Sequence, residues 1–169
     1  GKMKAAVLEK YGAPLIIRDV DVPAIAPDEV LVRVRACGLC GTDLKIASGK
    51  FPNIPLPHIP GHEVAGEVVE VGKNVTGIRK GDAGILYIYI ACRNCEWCLT
   101  GQENLCDAFR ATGRDADGGY AEYTVVPEEF AYAIPEAFTD SEAAPLGQGP
   151  AAGDMLFELG MMYSVGRDM

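Results

Sequence analysis

A mainly β domain with short helices, its strands forming a barrel-like body, is what this chain of 169 residues predicts. Three observations carry the expectation. Twenty Gly and 11 Pro punctuate the sequence with turns. Between them lie short apolar or alternating runs of strand length. Four of the six cysteines crowd between Cys92 and Cys106, the pattern of a metal-stapled loop on a small domain. The length suits one domain. A hydrophobic fraction of 49% and a charged fraction of 23% exclude a disordered chain. The longest apolar run, Ile85 to Cys92, is far short of the roughly 20 residues a bilayer requires, so no membrane association is expected. Fifteen basic against 24 acidic residues give a formal net charge of −9, which disfavours nucleic acid as a partner. No secretory signal is recognisable, so a cytoplasmic location is expected. Gly1-Lys2 read as vector residues ahead of Met3.

In chain order, Lys4–Leu8 and Leu15–Val20 read as strands. Glu29–Ala36 alternates Val30, Val32 and Val34 against Leu31, Arg33 and Arg35, the period of a half-buried strand. A short helix is expected over Thr42–Ala47, opened by Thr42 or Asp43. Phe51–Pro60 carries four prolines and is expected to be irregular. Glu63–Val71 is a β run with Gly66 inside it, which marks a bulge or a close backbone approach. Gly72-Lys73-Asn74 turns the chain. Gly84–Ala91 reads as a single apolar strand. Tyr120–Val126 and Ala131–Ile134 complete the strands. Thr139-Asp140-Ser141-Glu142 is a capping box. The Met- and Leu-rich stretch Ala151–Tyr163 reads as a second helix.

Cys92, Cys95, Cys98 and Cys106 are spaced C-x2-C-x2-C-x7-C. Four thiolates close a tetrahedron around Zn²⁺ with no open position, so the predicted role is structural. Two disulfides, four reduced core thiols and an iron–sulfur cluster are the alternatives. A second grouping joins Cys40, at a strand end, to His62 and Glu63, at a strand start. Cys and neutral His are good zinc ligands, and a zinc with an open position acts as a Lewis acid. Thr42 is placed to pass a proton, Asp43 to hydrogen-bond the histidine, and Glu63 to serve as an auxiliary ligand. One Cys and one His so spaced are equally the pattern of a buried thiol and a loop histidine. His58, among prolines, reads as a plain loop residue, and Cys37 as a small core residue.

These residues also carry a family resemblance. Gly61-His62-Glu63-Val64-Ala65-Gly66, with Gly72 and Val75, resembles the zinc signature G-H-E-x2-G-x5-G-x2-V of zinc-dependent medium-chain alcohol dehydrogenases. Cys40-Gly41-Thr42-Asp43 is similar to the segment of that family that ends at the catalytic zinc. The cysteine quartet has the spacing of its structural-zinc loop. Gly118-Gly119-Tyr120-Ala121-Glu122-Tyr123 and Ala143-Ala144-Pro145-Leu146 follow in the family's order. The resemblance implies a GroES-like, partly open β-barrel over residues 3–146. It implies hydride exchange between a small alcohol or carbonyl and NAD(P). Carried over, Cys40 and His62 become catalytic-zinc ligands, Glu63 an auxiliary ligand, Asp43 the support of the histidine, and Thr42 a proton relay. Lys45 stands where many relatives end that relay with a histidine.

Two departures shape the expectation. The family's third catalytic ligand falls on Gln148, whose amide oxygen is a poor zinc ligand, so this site is expected to be incomplete. Gly147–Gly153 does not read as a nucleotide-binding turn. No apolar strand precedes it, and the residues after Gly153 are too few for a βαβ unit of about 30 residues. Residues 147–169 are therefore expected to form a helical tail in place of a nucleotide-binding domain. The chain alone is expected to bind zinc but not NAD(P), and to be inactive. Met155, Leu156, Phe157, Leu159, Met161 and Met162 are expected to cover apolar surface or drive self-association. The alternatives are a zinc-binding interaction module that pairs with itself or another protein, and a hydrolase using a zinc-activated water at Cys40 and His62.

Overall fold

The computed structural model describes residues 1–51, 53–134 and 137–147. Gln148 and the Met-rich tail, with the expectations placed on them, lie outside the described residues. The element order is β1 (Lys2–Val7), β2 (Ile16–Asp21), β3 (Glu29–Gly38), α1 (Gly41–Ala47), β4 (Glu63–Val71), β5 (Ala83–Leu86) and β6 (Tyr89–Ile90). Then come α2 (Glu96–Leu99), β7 (Arg110–Ala111), β8 (Tyr123–Pro127), β9 (Ala131–Ala133) and α3 (Asp140–Ala143). Short 3-10 turns cover Glu103–Leu105, Glu128–Phe130 and Ala144–Gly147. No helix among the described residues is long and apolar enough to cross a membrane.

Five antiparallel strands form the main sheet, in the order β8-β3-β4-β5-β9. A curled half-barrel results. Two smaller ladders, β1-β2 and β6-β7, flank it. The inner face holds Val30, Val32, Val64, Val68, Leu86 and Val126, all buried. Each such side chain contributes about 1.5–3 kcal/mol on full burial. On the outer face, Glu67 takes ion pairs from both Arg33 and Arg35. Gly66 sits at the centre of the sheet, opposite Val34 on β3 and Gly84 on β5. The β3–β4 register shifts between Val34 and Ala36, so the expected irregularity is present at this glycine.

Several expectations are corrected. The apolar run Gly84–Ala91 is two strands, not one. Tyr87 and Ile88 donate their N–H groups to Phe130 and Gly147, which ends the pairing of β5 in the main sheet. The chain then leaves to pair β6 with β7. Helix α1 is opened by Cys40 rather than by Thr42 or Asp43. The Cys40 thiol accepts from Thr42 N–H, and the Asp43 carboxylate accepts from Cys40 N–H, a capping box with sulfur in the hydroxyl's place. His58 is not a plain loop residue. It is buried, its Nε2 lies 2.8 Å from the Gly113 carbonyl and its Nδ1 3.5 Å from Asp117. Lys2, set aside as a vector residue, is the first residue of β1 and pairs with Asp21. The Thr139 capping box forms as expected and opens α3.

Candidate metal centre

The first grouping stands on a lobe between β6 and β7. A tight turn at Cys92–Cys95, with Arg93 at φ 64°, and the single turn of α2 deliver three cysteines, and Cys106 follows the next 3-10 turn. The ligand atoms of Cys92, Cys95, Cys98 and Cys106 all lie within 4.8 Å of one another. The Cys92–Cys98 and Cys95–Cys98 sulfurs are 3.9 Å and 3.5 Å apart. These separations bracket the roughly 3.8 Å sulfur–sulfur edge of a tetrahedron with Zn–S bonds near 2.3 Å. They are far beyond a disulfide bond, and none of these four cysteines is disulfide-bonded. Backbone hydrogen bonds from Asn94 and Cys95 pull the Cys92 thiol down to about 6. Donors already aimed at a sulfur anion are what a thiolate ligand requires. The quartet therefore fits a structural zinc site.

The lobe is fastened to the barrel by a residue that no spacing rule marks. Arg93 pairs with Glu103 inside the lobe at 3.0 Å and with Glu129 on the barrel at 2.8 Å. Its guanidinium also lies 5.1 Å from the centre of the Phe130 ring.

The second grouping forms where β3 ends and β4 begins. Strand pairing sets Gly38 opposite Glu63. The missing side chain at Gly38 leaves room for the Glu63 carboxylate, since a Cβ there would stand 1.9 Å from Oε2. Cys40, His62 and Glu63 bring their ligand atoms within 4.8 Å of one another. His62 and Glu63 are buried. Asp43 Oδ1 faces His62 Nδ1 at 3.2 Å; in the neutral ring, an Nδ1–H directed at the carboxylate leaves Nε2 as the acceptor. Burial opposes ionisation of Asp43, but hydrogen bonds from His62 and the Cys40 N–H outweigh it and hold the carboxyl below its ordinary value. Burial likewise opposes charge on His62. The Asp43 hydrogen bond overrides it and raises the ring above its ordinary value. Burial pushes the neighbouring Cys37 thiol up to about 12, so without a metal it stays protonated. Thr42 is half-buried in the first turn of α1. Lys45 is exposed one turn later, on the same side of the helix by the i, i+3 rule.

Residues 26–136, well over half of the chain, match the model of the alcohol dehydrogenase GroES-like domain. The chain belongs to this family. It is 47% identical over 146 residues to an alcohol dehydrogenase of Geobacillus stearothermophilus, covering 85% of this chain and 43% of that protein. It is 42% identical over 132 residues to an NAD-dependent alcohol dehydrogenase of Sulfolobus acidocaldarius, covering 75% of this chain and 38% of that one. Among solved structures, the cobalt- and zinc-bound thermostable alcohol dehydrogenase of Pyrobaculum aerophilum superposes with a TM-score of 0.79 at 37% identity. The match covers 86% of this chain and 45% of that one. The chain thus spans less than half the length of the curated relatives it matches. The expected GroES-like fold of a zinc-dependent alcohol dehydrogenase is the fold observed.

Proposed function

We propose that residues 3–146 are the zinc-holding catalytic domain of an NAD(P)-linked oxidoreductase that acts on a small alcohol or carbonyl. The observation that carries this reading is the convergence of Cys40, His62 and Glu63 with Asp43 behind the histidine. A zinc ion held there would supply Lewis acidity toward a substrate oxygen. The chain's own residues have separate tasks. Asp43 fixes the tautomer of His62, so that Nε2 remains a ligand. Glu63, folded against Gly38, is the auxiliary donor. Thr42 passes the proton of the substrate hydroxyl toward solvent water, and the exposed Lys45, one turn on, stands at the surface end of that path.

NAD(P) does not fit the described residues. Every strand pair among them is antiparallel, whereas the βαβ unit that cradles a dinucleotide needs parallel strands. A polypeptide of these 169 residues alone is expected to give no NAD(P)-linked alcohol oxidation. Zinc analysis tests the domain reading: two ions per chain are expected, falling to one in Cys40→Ala with the four-cysteine ion retained. Equal zinc in both proteins overturns the second centre, and ordinary turnover by the chain alone overturns the cofactor argument.

A further inference from the structure

Asp43 stands between two segments that must be held in register if Cys40 and His62 are to share an ion. Its Oδ2 accepts from the Cys40 backbone N–H at 2.9 Å, and its Oδ1 faces His62 Nδ1 at 3.2 Å. Oδ2 has a second donor from a distant part of the chain, the Tyr120 hydroxyl at 2.9 Å. The same hydroxyl lies 3.2 Å from the Gly38 carbonyl. A phenol has one proton to give, and the shorter, charge-assisted contact to the carboxylate takes it.

The backbone around Tyr120 grips the other ligand segment. Gly118, Gly119 and Tyr120 donate their N–H groups to the carbonyls of Ile59, Gly61 and Pro60 at 2.7, 2.8 and 3.0 Å. The Tyr120 ring packs so closely on Gly61 that a Cβ there would stand 2.7 Å from the ring. One residue thus touches both the β3–α1 junction, through Gly38 and Asp43, and the segment that presents His62. Burial, and then the charge of Asp43, raise the Tyr120 phenol, which stays a donor at any ordinary pH.

We propose that Tyr120 is a positioning residue of the Cys40–His62–Glu63 centre, its hydroxyl setting through Asp43 the geometry in which the two ligand-bearing segments meet a metal ion. The proposal rests on the reading of that centre as a metal site. Removing the hydroxyl leaves Oδ2 with one donor and lets the carboxylate turn away from His62. Outer partners of this kind are worth about 10–100-fold in metal affinity. The ring remains in Tyr120→Phe, so its packing on Gly61 is kept.

The test is cobalt(II) binding in competition with a chromophoric chelator. The proteins compared are the unaltered chain, Tyr120→Phe, Asp43→Asn, the double variant and Cys40→Ala. Cys40→Ala shows which binding step belongs to this centre. Tyr120→Phe is expected to weaken that step about tenfold and leave the four-cysteine step unchanged. In the Asp43→Asn background the same change is expected to cost less than about twofold, because a group that acts through Asp43 has nothing left to act on. An equal loss in both backgrounds, no loss in either, or joint loss of both cobalt steps overturns the proposal. If Cys40→Ala binds as much cobalt as the unaltered chain, the centre itself is refuted. That result is distinct from an intact centre indifferent to Tyr120.

Discussion

Cys98→Ser is expected to remove one zinc per chain and to loosen the whole lobe between β6 and β7. Cys98 has the Cys92 and Cys95 sulfurs as its near neighbours, and a serine hydroxyl in its place ligates zinc poorly at neutral pH. The lobe has little else to order it. Neither α2 nor the 3-10 turn at Glu103–Leu105 buries a residue, while Leu99 and Leu105 are exposed. With free zinc a thousandfold above its dissociation constant, the bound ion contributes about 4 kcal/mol to stability. The expected loss in Cys98→Ser is of that size, and a chelator should produce it in the unaltered protein. Urea unfolding with and without chelator measures it, and limited proteolysis should cut first between Cys92 and Cys106. The sheet core, which shares no residue with the quartet, should keep its far-ultraviolet signature. Unchanged zinc content and an unchanged unfolding midpoint would refute the site.

Gly66→Ala is expected to be the most damaging single change in the sheet. A Cβ at this position would stand 2.2 Å from the Arg33 carbonyl oxygen and 2.8 Å from Val32 Cγ1. The first of these is backbone, which cannot turn aside as a side chain can. Relief requires β3 and β4 to separate where Gly66 is paired on both sides. Overpacking of a filled core costs about 1–3 kcal/mol, and this case belongs at or above the upper end. Gly41→Ala is the matched control. Nothing lies within 4 Å of its Cβ position and its φ is not positive, so its unfolding midpoint should barely move. Equal midpoints for the two variants would show that the close approach at Gly66 is not a constraint.

What the sequence announced is what local chemistry encodes. The cysteine quartet was legible because ligand spacing is a local property. The bounds of β4 were legible because Glu63–Val71 is bracketed by Gly61 and Gly72. The capping box at Thr139 was legible because both partners lie within one turn. The split between β5 and β6 was not, since apolar residues run unbroken across Tyr87 and Ile88 and only the distant carbonyls of Phe130 and Gly147 end the strand. Cys40 as a helix cap was missed because a thiol is a weaker acceptor than the hydroxyl two residues on. His58, Arg93 and Tyr120 owe their roles to partners far along the chain; no periodicity or motif marks the first two, and the Gly118–Tyr123 motif that contains Tyr120 does not show that its hydroxyl meets Asp43.

The pairing of β6 with β7 closes the neck of the cysteine lobe. Ile90 and Arg110 are already backbone neighbours, so Ala91–Phe109 form a cassette whose two ends meet. A designer can replace that cassette with a short hairpin turn and leave β5 in its sheet, or transplant it onto another antiparallel ladder. In such a graft Arg93 needs acidic and aromatic counterparts for Glu129 and Phe130 on the recipient surface, and Phe109 needs replacements for Tyr89 and Arg114.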